Sequence, residues 1–483
     1  MMDSDTEKVR ALLAKTYATL PPIEQLIVQL CSVLYEPVAR VVVVACFNYL
    51  TALDRQDITF TNTSIKPYFD RLLRAGVFIQ QSGYGAQCHP LLTEIATRDA
   101  IRQGRFERLV QATEKGSPMP KRWKNGPYAF NTDRQLLRAV RIGIYRNNVP
   151  QINQYLEDYY KYSYQSDKIS IDEIYQQVCN NPFDPEWFST LSHELYEHAL
   201  LSIINYSLLE LTPADEAFSL LQQTCTGTKP SNKKDAKQNG KDVKQNEKEP
   251  SMLFYAFLAE QLIFRGKLTE AEQLLEHLPE AYLTYADSLW GGLIFLRGED
   301  EKAIERYTMA LQALKKGSGK RKIYFQSVVG VFFILALLKQ GSPKRVQEAV
   351  DYTGIARQSK YWLSSTYEML ENLLKIQQGE LSRRDAIVNT ASYSYDNWYS
   401  LDTLFRALCL YWVDADRAKK ALPKILEPFC EEAKAAGYDW LAMEAAELLG
   451  KLKPRSAYAK QAASLRQTIG SRSLVELMQP QET

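Results

Sequence analysis

The chain has 483 residues, 45% of them apolar and 24% charged, which fits a folded globular protein of two or three domains rather than a disordered one. Its formal net charge of +2 excludes any argument about partners from whole-chain electrostatics. The longest apolar run, Val328 to Leu338, spans 11 residues. That is far below the ~20 a membrane-spanning helix needs, so no membrane partner is expected. The charged beginning, MMDSDTEKVRALL, lacks the apolar stretch of a secretory signal. The cysteines at 31, 46, 88, 179, 225, 409 and 430 are scattered and form no C-x-x-C pair. They read as reduced core thiols of a cytoplasmic protein, and neither a zinc site nor a cofactor is expected.

Residues 1–110 are expected to form a small helical domain closed by a hairpin. Pro21-Pro22 opens a helix to Leu34, since proline is tolerated in a first turn. A second apolar helix runs from about Pro37 to Leu53. Asn62-Thr63-Ser64 caps a third, which ends in Leu72-Leu73-Arg74-Ala75-Gly76, where glycine suits a left-handed stop. Val77-Phe78-Ile79 reads as a strand, Ser82-Gly83-Tyr84-Gly85 as a turn and Ala86-Gln87-Cys88-His89 as the return. Three helices followed by a β-hairpin is the winged-helix order.

Residues 111–225 read as a basic connector that leads, from Thr132, into helix after helix, with apolar residues at three- and four-residue intervals. Residues 226–251 hold seven lysines and four acids, with Val243 the single aliphatic residue beyond alanine. Such a segment buries too little to offset ordering entropy and is expected to be a disordered linker. Residues 252–475 read as a helical repeat domain and 476–483 as a tail. Ala259-(x6)-Gly266-(x4)-Ala271 is followed, at an offset of 32, by Gly291-(x6)-Gly298-(x4)-Ala303. The offset is close to the roughly 34 residues of a tetratricopeptide repeat. Small residues in that register sit where two helices cross, and Tyr307 and Ala310 continue the second copy. Gly341 and Gly379 mark equivalent turns at drifting spacings of 43 and 38. The expected fold is mainly α: an N-terminal winged-helix domain followed by a TPR-like α-helical solenoid.

Two strings imitate catalytic motifs and fail on spacing. In Lys316-Gly317-Ser318-Gly319-Lys320-Arg321, a phosphate loop would need glycine at Leu314 and Ser or Thr at Arg321. The string reads as a basic turn between repeats. In His193-Glu194-Leu195-Tyr196-Glu197-His198, the second histidine stands at i+5. Helical geometry swings it roughly 140° from the first, so the two cannot share a metal as a zincin requires. Cys88 and His89 are neighbours on a strand and point to opposite faces, which rules out a dyad.

Charge is the stronger signal. Residues 98–146 carry twelve Lys/Arg against four acids, net +8, and residues 151–220 carry two lysines against twelve acids, net −10. Arg98, Arg102 and Arg105 follow i, i+4, i+7, as do Arg134, Arg138 and Arg141, so each set is expected on one helix face. Between them lies Lys121-Arg122-Trp123-Lys124, basic and aromatic together. Arginine stripes with aromatics suit a phosphate backbone and exposed bases. The competing reading is that they pair with the adjacent acids or keep a helix face wet. On the third helix, Lys66, Arg71 and Arg74 complete the nucleic-acid candidates, but Asp70 dilutes them. Residues 1–97 sum to −1, and a groove-reading winged helix is usually more basic.

SIKPYFDRLLRAGVFIQ, CHPLLTEIATRDAI, SLDTLFRALCLYW and AKAAGYDWLAMEAAELLGKL, in this order, resemble the amino-terminal region of large bacterial Swi/Snf-type helicase-superfamily ATPases. The closing SLVELMQP resembles the junction where such proteins continue toward their motor. A similar winged-helix-plus-repeat order occurs in MalT-like signal-transduction regulators. The resemblance implies an accessory region or a relative acting in trans, but the chain lacks every ATPase motif, so hydrolysis and translocation do not carry over. The leading expectation is a non-enzymatic scaffold that binds protein partners, among them a Swi/Snf-type ATPase, through its repeat surface. Tyrosines such as those of Tyr159-Tyr160-Lys161-Tyr162-Ser163-Tyr164 would add contact area. The alternatives are a nucleic-acid-binding accessory using residues 98–146 and a metal-dependent enzyme at His193/Glu197.

Overall fold

The computed structural model describes residues 2–53, 59–81, 85–124, 126–163, 168–227, 252–278, 283–318, 323–325, 328–358, 364–382, 385 and 399–477. Proline and glycine punctuate them much as the sequence leads one to expect. Helix α1 (Met2–Ala18) is followed by α2 (Pro22–Leu34), opened by its proline. Helix α3 (Arg40–Leu53) starts later than the expected Pro37. The reason is that Val38 is extended and bridges Ala86 instead. Helix α4 (Asn62–Arg74) is capped by Thr61, one residue upstream of the expected cap. The Thr61 hydroxyl accepts the Ser64 N–H at 3.1 Å and the Ser64 hydroxyl accepts the Thr61 N–H at 2.9 Å, a reciprocal capping box. Strands β1 (Phe78–Gln81) and β2 (Gly85–Cys88) pair antiparallel, Phe78 opposite Cys88. The expected turn at 82–84 lies outside the described residues.

Helices α5 (Pro90–Arg102), α6 (Phe106–Gly116), α7 (Asp133–Tyr145), α8 (Val149–Tyr162), α9 (Ile171–Cys179) and α10 (Pro185–Phe188) follow. The apolar core here gathers Ile27 and Leu30 of α2, Phe47 of α3, Phe69 of α4, Phe78 of β1 and Leu92 of α5, all buried. Phe69 and Phe78 meet edge to face at 5.3 Å, as aromatic quadrupoles prefer.

The chain divides into two compact units, Met1–Ile203 and Ile204–Thr483, with the division inside α11 (His193–Glu210). After α12 (Asp215–Thr226), residues 228–251 of the expected linker lie outside the described residues. The second unit is built of helix hairpins. The first pairs α13 (Met252–Phe264) with α14 (Leu268–Glu276), and the next pairs α15 (Leu283–Leu296) with α16 (Asp300–Ser318). Gly266 and Gly298 turn these pairs at φ +72° and +92°, backbone that residues with a Cβ rarely adopt. The matched residues Ala259, Ala271 and Ala303 are fully buried, as are Tyr307 and Ala310. At Gly291 a Cβ would stand 2.7 Å from the Tyr307 ring, so the absent side chain lets α15 and α16 touch. Lys316-Gly317-Ser318 ends α16, while residues 319–321 of the phosphate-loop mimic lie outside the described residues.

The hairpins continue with α17 (Val329–Gln340), α18 (Pro343–Ala356) and α19 (Ser364–Gln377). Gly341 and Gly379, like the earlier pair, take a positive φ just beyond helices α17 and α19. Then come α20 (Ser400–Val413), α21 (Ala415–Ala421), α22 (Pro423–Ala435), α23 (Asp439–Leu452) and α24 (Tyr458–Ile469). Residues 471–477 are not a loose end. Arg472 donates its backbone N–H to the Leu296 carbonyl at 2.7 Å, pairs with Asp300 and covers the Phe295 ring at 4.0 Å. A 3-10 turn, Leu474–Glu476, then seats on the buried Glu444, whose two oxygens each accept the Leu474 N–H at 3.0 Å. Residues 478–483 of the expected tail lie outside the described residues. The chain is therefore mainly helical, with a two-stranded sheet among the described residues, and no described helix is long and apolar enough to cross a membrane.

Candidate functional site

The basic residues singled out by the sequence separate into buried anchors and an exposed remainder. Arg141 of α7 is 1% exposed. Its Nε and Nη2 donate to the two Glu94 oxygens at 2.8 and 2.9 Å, and Nη1 donates to the Ser32 carbonyl at 3.0 Å. Burial alone would weaken that charge, but the Glu94 carboxylate outweighs it and holds the guanidinium above its ordinary value. The Tyr145 hydroxyl donates to the same carboxylate at 2.6 Å. Arg138, also buried, donates to the Ser117 hydroxyl and to Glu36 at 3.1 Å each, and to the Ser117 carbonyl at 3.0 Å. Arg98 of α5 is buried too, giving Nη2 to the Val178 carbonyl at 3.1 Å and Nη1 to the Pro182 carbonyl at 2.9 Å. A cation is favourable there because Val178 lies in the last turn of α9. The ring of Trp187 lies 4.3 Å from the Arg98 guanidinium.

The two arginine stripes are thus not exposed faces. Residues Arg134, Arg138 and Arg141 share α7, but Arg138 and Arg141 turn inward among Glu36, Glu94 and Ser32, and Arg134 alone is exposed, donating to Gln81 at 2.8 Å. The other stripe is cut, because α5 stops at Arg102 and the chain turns at Gly104 before Arg105 caps α6. Arg102 is exposed beside Asp99 at 3.9 Å, and Arg105 reaches Gln29 at 3.5 Å. On α4, Lys66 pairs with Asp70 at 2.6 Å, Arg74 donates to the Asp70 carbonyl at 3.2 Å, and Arg71 bridges to the buried Glu24. Acids meet Lys66, Arg71, Arg98, Arg102, Arg138 and Arg141, and the one opposite Arg98, Asp184, comes from the acidic stretch after residue 150.

What stays outward is a short hairpin between α6 and α7. Lys121 and Tyr128 form an antiparallel bridge, Arg122 N–H reaches the Pro127 carbonyl at 3.0 Å, and Gly126 N–H reaches the Trp123 carbonyl at 2.9 Å. A Cβ at Gly126 would stand 2.4 Å from the Trp123 ring, so glycine lets the indole fold over the turn while it remains 61% exposed. Asp158 of α8 accepts the Tyr128 N–H at 2.9 Å and ties the hairpin to the helices. Lys121, Arg122 and Lys124 flank the indole, and the Arg122 guanidinium lies 4.8 Å from the Tyr162 ring. Within the tyrosine run, Tyr159 is buried with its hydroxyl on Asp133, while Tyr160 is 42% exposed. Tyr164 lies outside the described residues.

In the second unit a groove of about 830 Å³ lies open between α16 and α18. Its floor includes Ile304 and Met309, the latter 47% exposed, and Glu301, Glu305, Glu348 and Lys344 rim it. No spacing in the sequence marks it, since Met309 reads as one more apolar residue of an amphipathic helix. Glu444 was equally silent. Burial pushes its carboxyl up to about 8, against the Leu474 N–H and the nearby Arg466, which favour the ionised form.

All seven cysteines are buried and unpaired, and burial raises the Cys46 and Cys88 thiols to about 11. His89 does not face Cys88 as a base; its Nδ1 accepts the Leu91 N–H at 3.2 Å and caps α5. His193 lies 3.6 Å from Glu197, and among the described residues no three side chains of metal-binding type converge. No model of a known protein family matches the chain, and no curated protein is significantly similar to it.

Proposed function

We propose that the chain is a non-enzymatic interaction scaffold, a winged helix followed by a TPR-like solenoid, that holds a protein partner of the Swi/Snf-type ATPase class. The observation that carries this reading is the α16–α18 groove, where Met309 stays 47% exposed beside Glu301 and Glu305 on a helix whose Ile304 and Tyr307 are buried. Methionine is polarizable and adaptable, which suits a surface that receives a partner's side chains. The succession of hairpins α13 to α18 supports the solenoid reading, because stacked pairs share a core and leave an extended surface free. The Val38–Ala86 bridge supports the winged-helix reading, since it adds a strand position before α3 to the hairpin after α4. The experiment is titration calorimetry of the chain against a purified Swi/Snf-type ATPase from the same organism. Binding in the micromolar range or tighter is expected, weakened about tenfold or more by Glu301→Lys with Glu305→Lys. If the unmodified proteins do not associate, the reading is wrong.

A second reading is favoured by the exposed Trp123 set among Lys121, Arg122 and Lys124: contact with single-stranded nucleic acid. An indole offers a stacking platform to any base, and the flanking cations meet phosphate. An oligonucleotide titrated at low salt would bind, and Trp123→Ala and Lys124→Glu would each weaken it. Absence of binding at low salt ends that reading.

A further inference from the structure

Two outward features of the molecule complement one another. From them we infer that the chain associates with a second copy of itself, the basic hairpin of one copy entering the α16–α18 groove of the next. This association rests on the groove being a docking surface but needs no ATPase, so the two proposals fail separately. The groove holds about 830 Å³, with Met309 47% exposed in it and the buried Ile304 also in its lining. At its rim Arg345 is balanced by Glu348 at 2.7 Å. Glu301, Glu305 and Asp351 are exposed and have no cation within ion-pair distance among the described residues. Lys344 is the remaining positive charge of the lining, so three unpaired acids against one lysine leave the opening negative.

The hairpin has the opposite character. Trp123 is 61% exposed on it, and Lys121, Arg122 and Lys124 around the indole are exposed too. Among the described residues no carboxylate lies within ion-pair distance of Lys121 or Lys124. An aromatic anchor set among cations thus faces solvent in one place, and a methionine set among acids does so in another. The thioether sulfur is polarizable and is drawn to an aromatic ring, so Trp123 against Met309 is a favourable contact. Lys121 and Lys124 would meet Glu301 and Glu305, which fixes the register and steers the encounter. The chain's formal charge of only +2 leaves little long-range repulsion between copies. Because the two surfaces differ, the contact is heterologous. Each added copy brings a free hairpin or a free groove, so growth passes beyond a dimer unless a ring closes. A partner protein in the groove would displace the hairpin, which makes self-association a competitor of partner binding.

The test is analytical sedimentation of the full chain at low salt, up to about 200 μM. The unmodified chain is expected to gain average mass with concentration, with a Kd below about 100 μM. About 0.5 M salt, which screens exposed charges, should remove most of that gain. Glu301→Lys with Glu305→Lys, and in a second variant Trp123→Ala with Lys124→Glu, should each keep the chain monomeric. All four positions are exposed, so both variants should fold as the unmodified chain does. Mixed in equal amounts, the two variants should form a dimer and nothing larger, because one intact hairpin then meets one intact groove. The proposal is overturned if the unmodified chain stays monomeric throughout, if either variant associates as the unmodified chain does, or if the mixture stays monomeric. An ATPase that binds the groove of a chain monomeric by itself would leave the proposed function standing and this association refuted.

Discussion

The two units share one kind of joint and differ in how much they add to it. In the first, buried guanidinium groups join elements far apart in the chain: Arg141 ties α7 to α5 and α2, and Arg98 ties α5 to the end of α9. The second uses such groups too, Arg265 beside Asp215 and Arg406 beside Asp402, and adds close helix contact, as where the missing side chain of Gly291 admits the Tyr307 ring. Its hub is Tyr438, whose hydroxyl lies 3.1 Å from the Ser207 hydroxyl and 3.4 Å from Gln261. The comparison teaches that a basic segment is not a basic surface. Three of the twelve basic residues at 98–146, Arg98, Arg138 and Arg141, work as internal mortar, and the accessible candidates for partner contact include a hairpin and a groove.

The largest expected effect comes from breaking the ionic side of that comparison. Arg141→Leu would leave Glu94 buried and unpaired and destabilise the first unit by up to roughly 5 kcal/mol. Adding Glu94→Leu should recover most of it, because the lost partner rather than the lost pair is what costs. Urea unfolding followed by amide exchange would check this, with the loss confined to α2, α5 and α7. Equal loosening of α15 and α16 would show that the units are not separately stabilised.

Glu444 sharpens the other side. Its folded-state carboxyl stands at about 8 against an ordinary value of 4.5, so the folded unit binds the proton more tightly than the unfolded chain does. The stability it contributes is fully present below that ordinary value and is lost as pH rises through about 8. Over that window the second unit should lose on the order of 4 kcal/mol, and Glu444→Gln should flatten the dependence. A pH-independent melting profile of the unmodified chain would contradict the assignment. Smaller again is Gly291→Ala, whose Cβ meets the Tyr307 ring at 2.7 Å. It should cost about 1–3 kcal/mol by overpacking, read as a lowered midpoint in urea. Smallest is Lys124→Glu, fully outward on its hairpin, which should change stability by no more than about 0.5 kcal/mol.

Helix ends were legible because their chemistry is local: Pro22, Gly76 and Gly341 act through their own backbone. The recurrence of small residues at a fixed offset was legible too, but Gly266 and Gly298 turn the chain between helices instead of standing at a crossing, as Gly291 does. The arginine stripes misled because periodicity defines a face without saying which way it turns. What decides that is a partner 47 residues away for Arg141 with Glu94, and 80 away for Arg98 with the Val178 carbonyl. The α16–α18 groove and the seat on Glu444 have no local signature either. Each exists only once distant segments meet.

The central claim is that the helical hairpins of the second unit present a surface for a protein partner. Amide exchange of the chain, measured alone and with a Swi/Snf-type ATPase, tests it most directly. Slowed exchange along α16 and α18 that disappears in the Glu301→Lys, Glu305→Lys variant is the predicted result. Identical exchange with and without the ATPase, in every helix of the second unit, would contradict it.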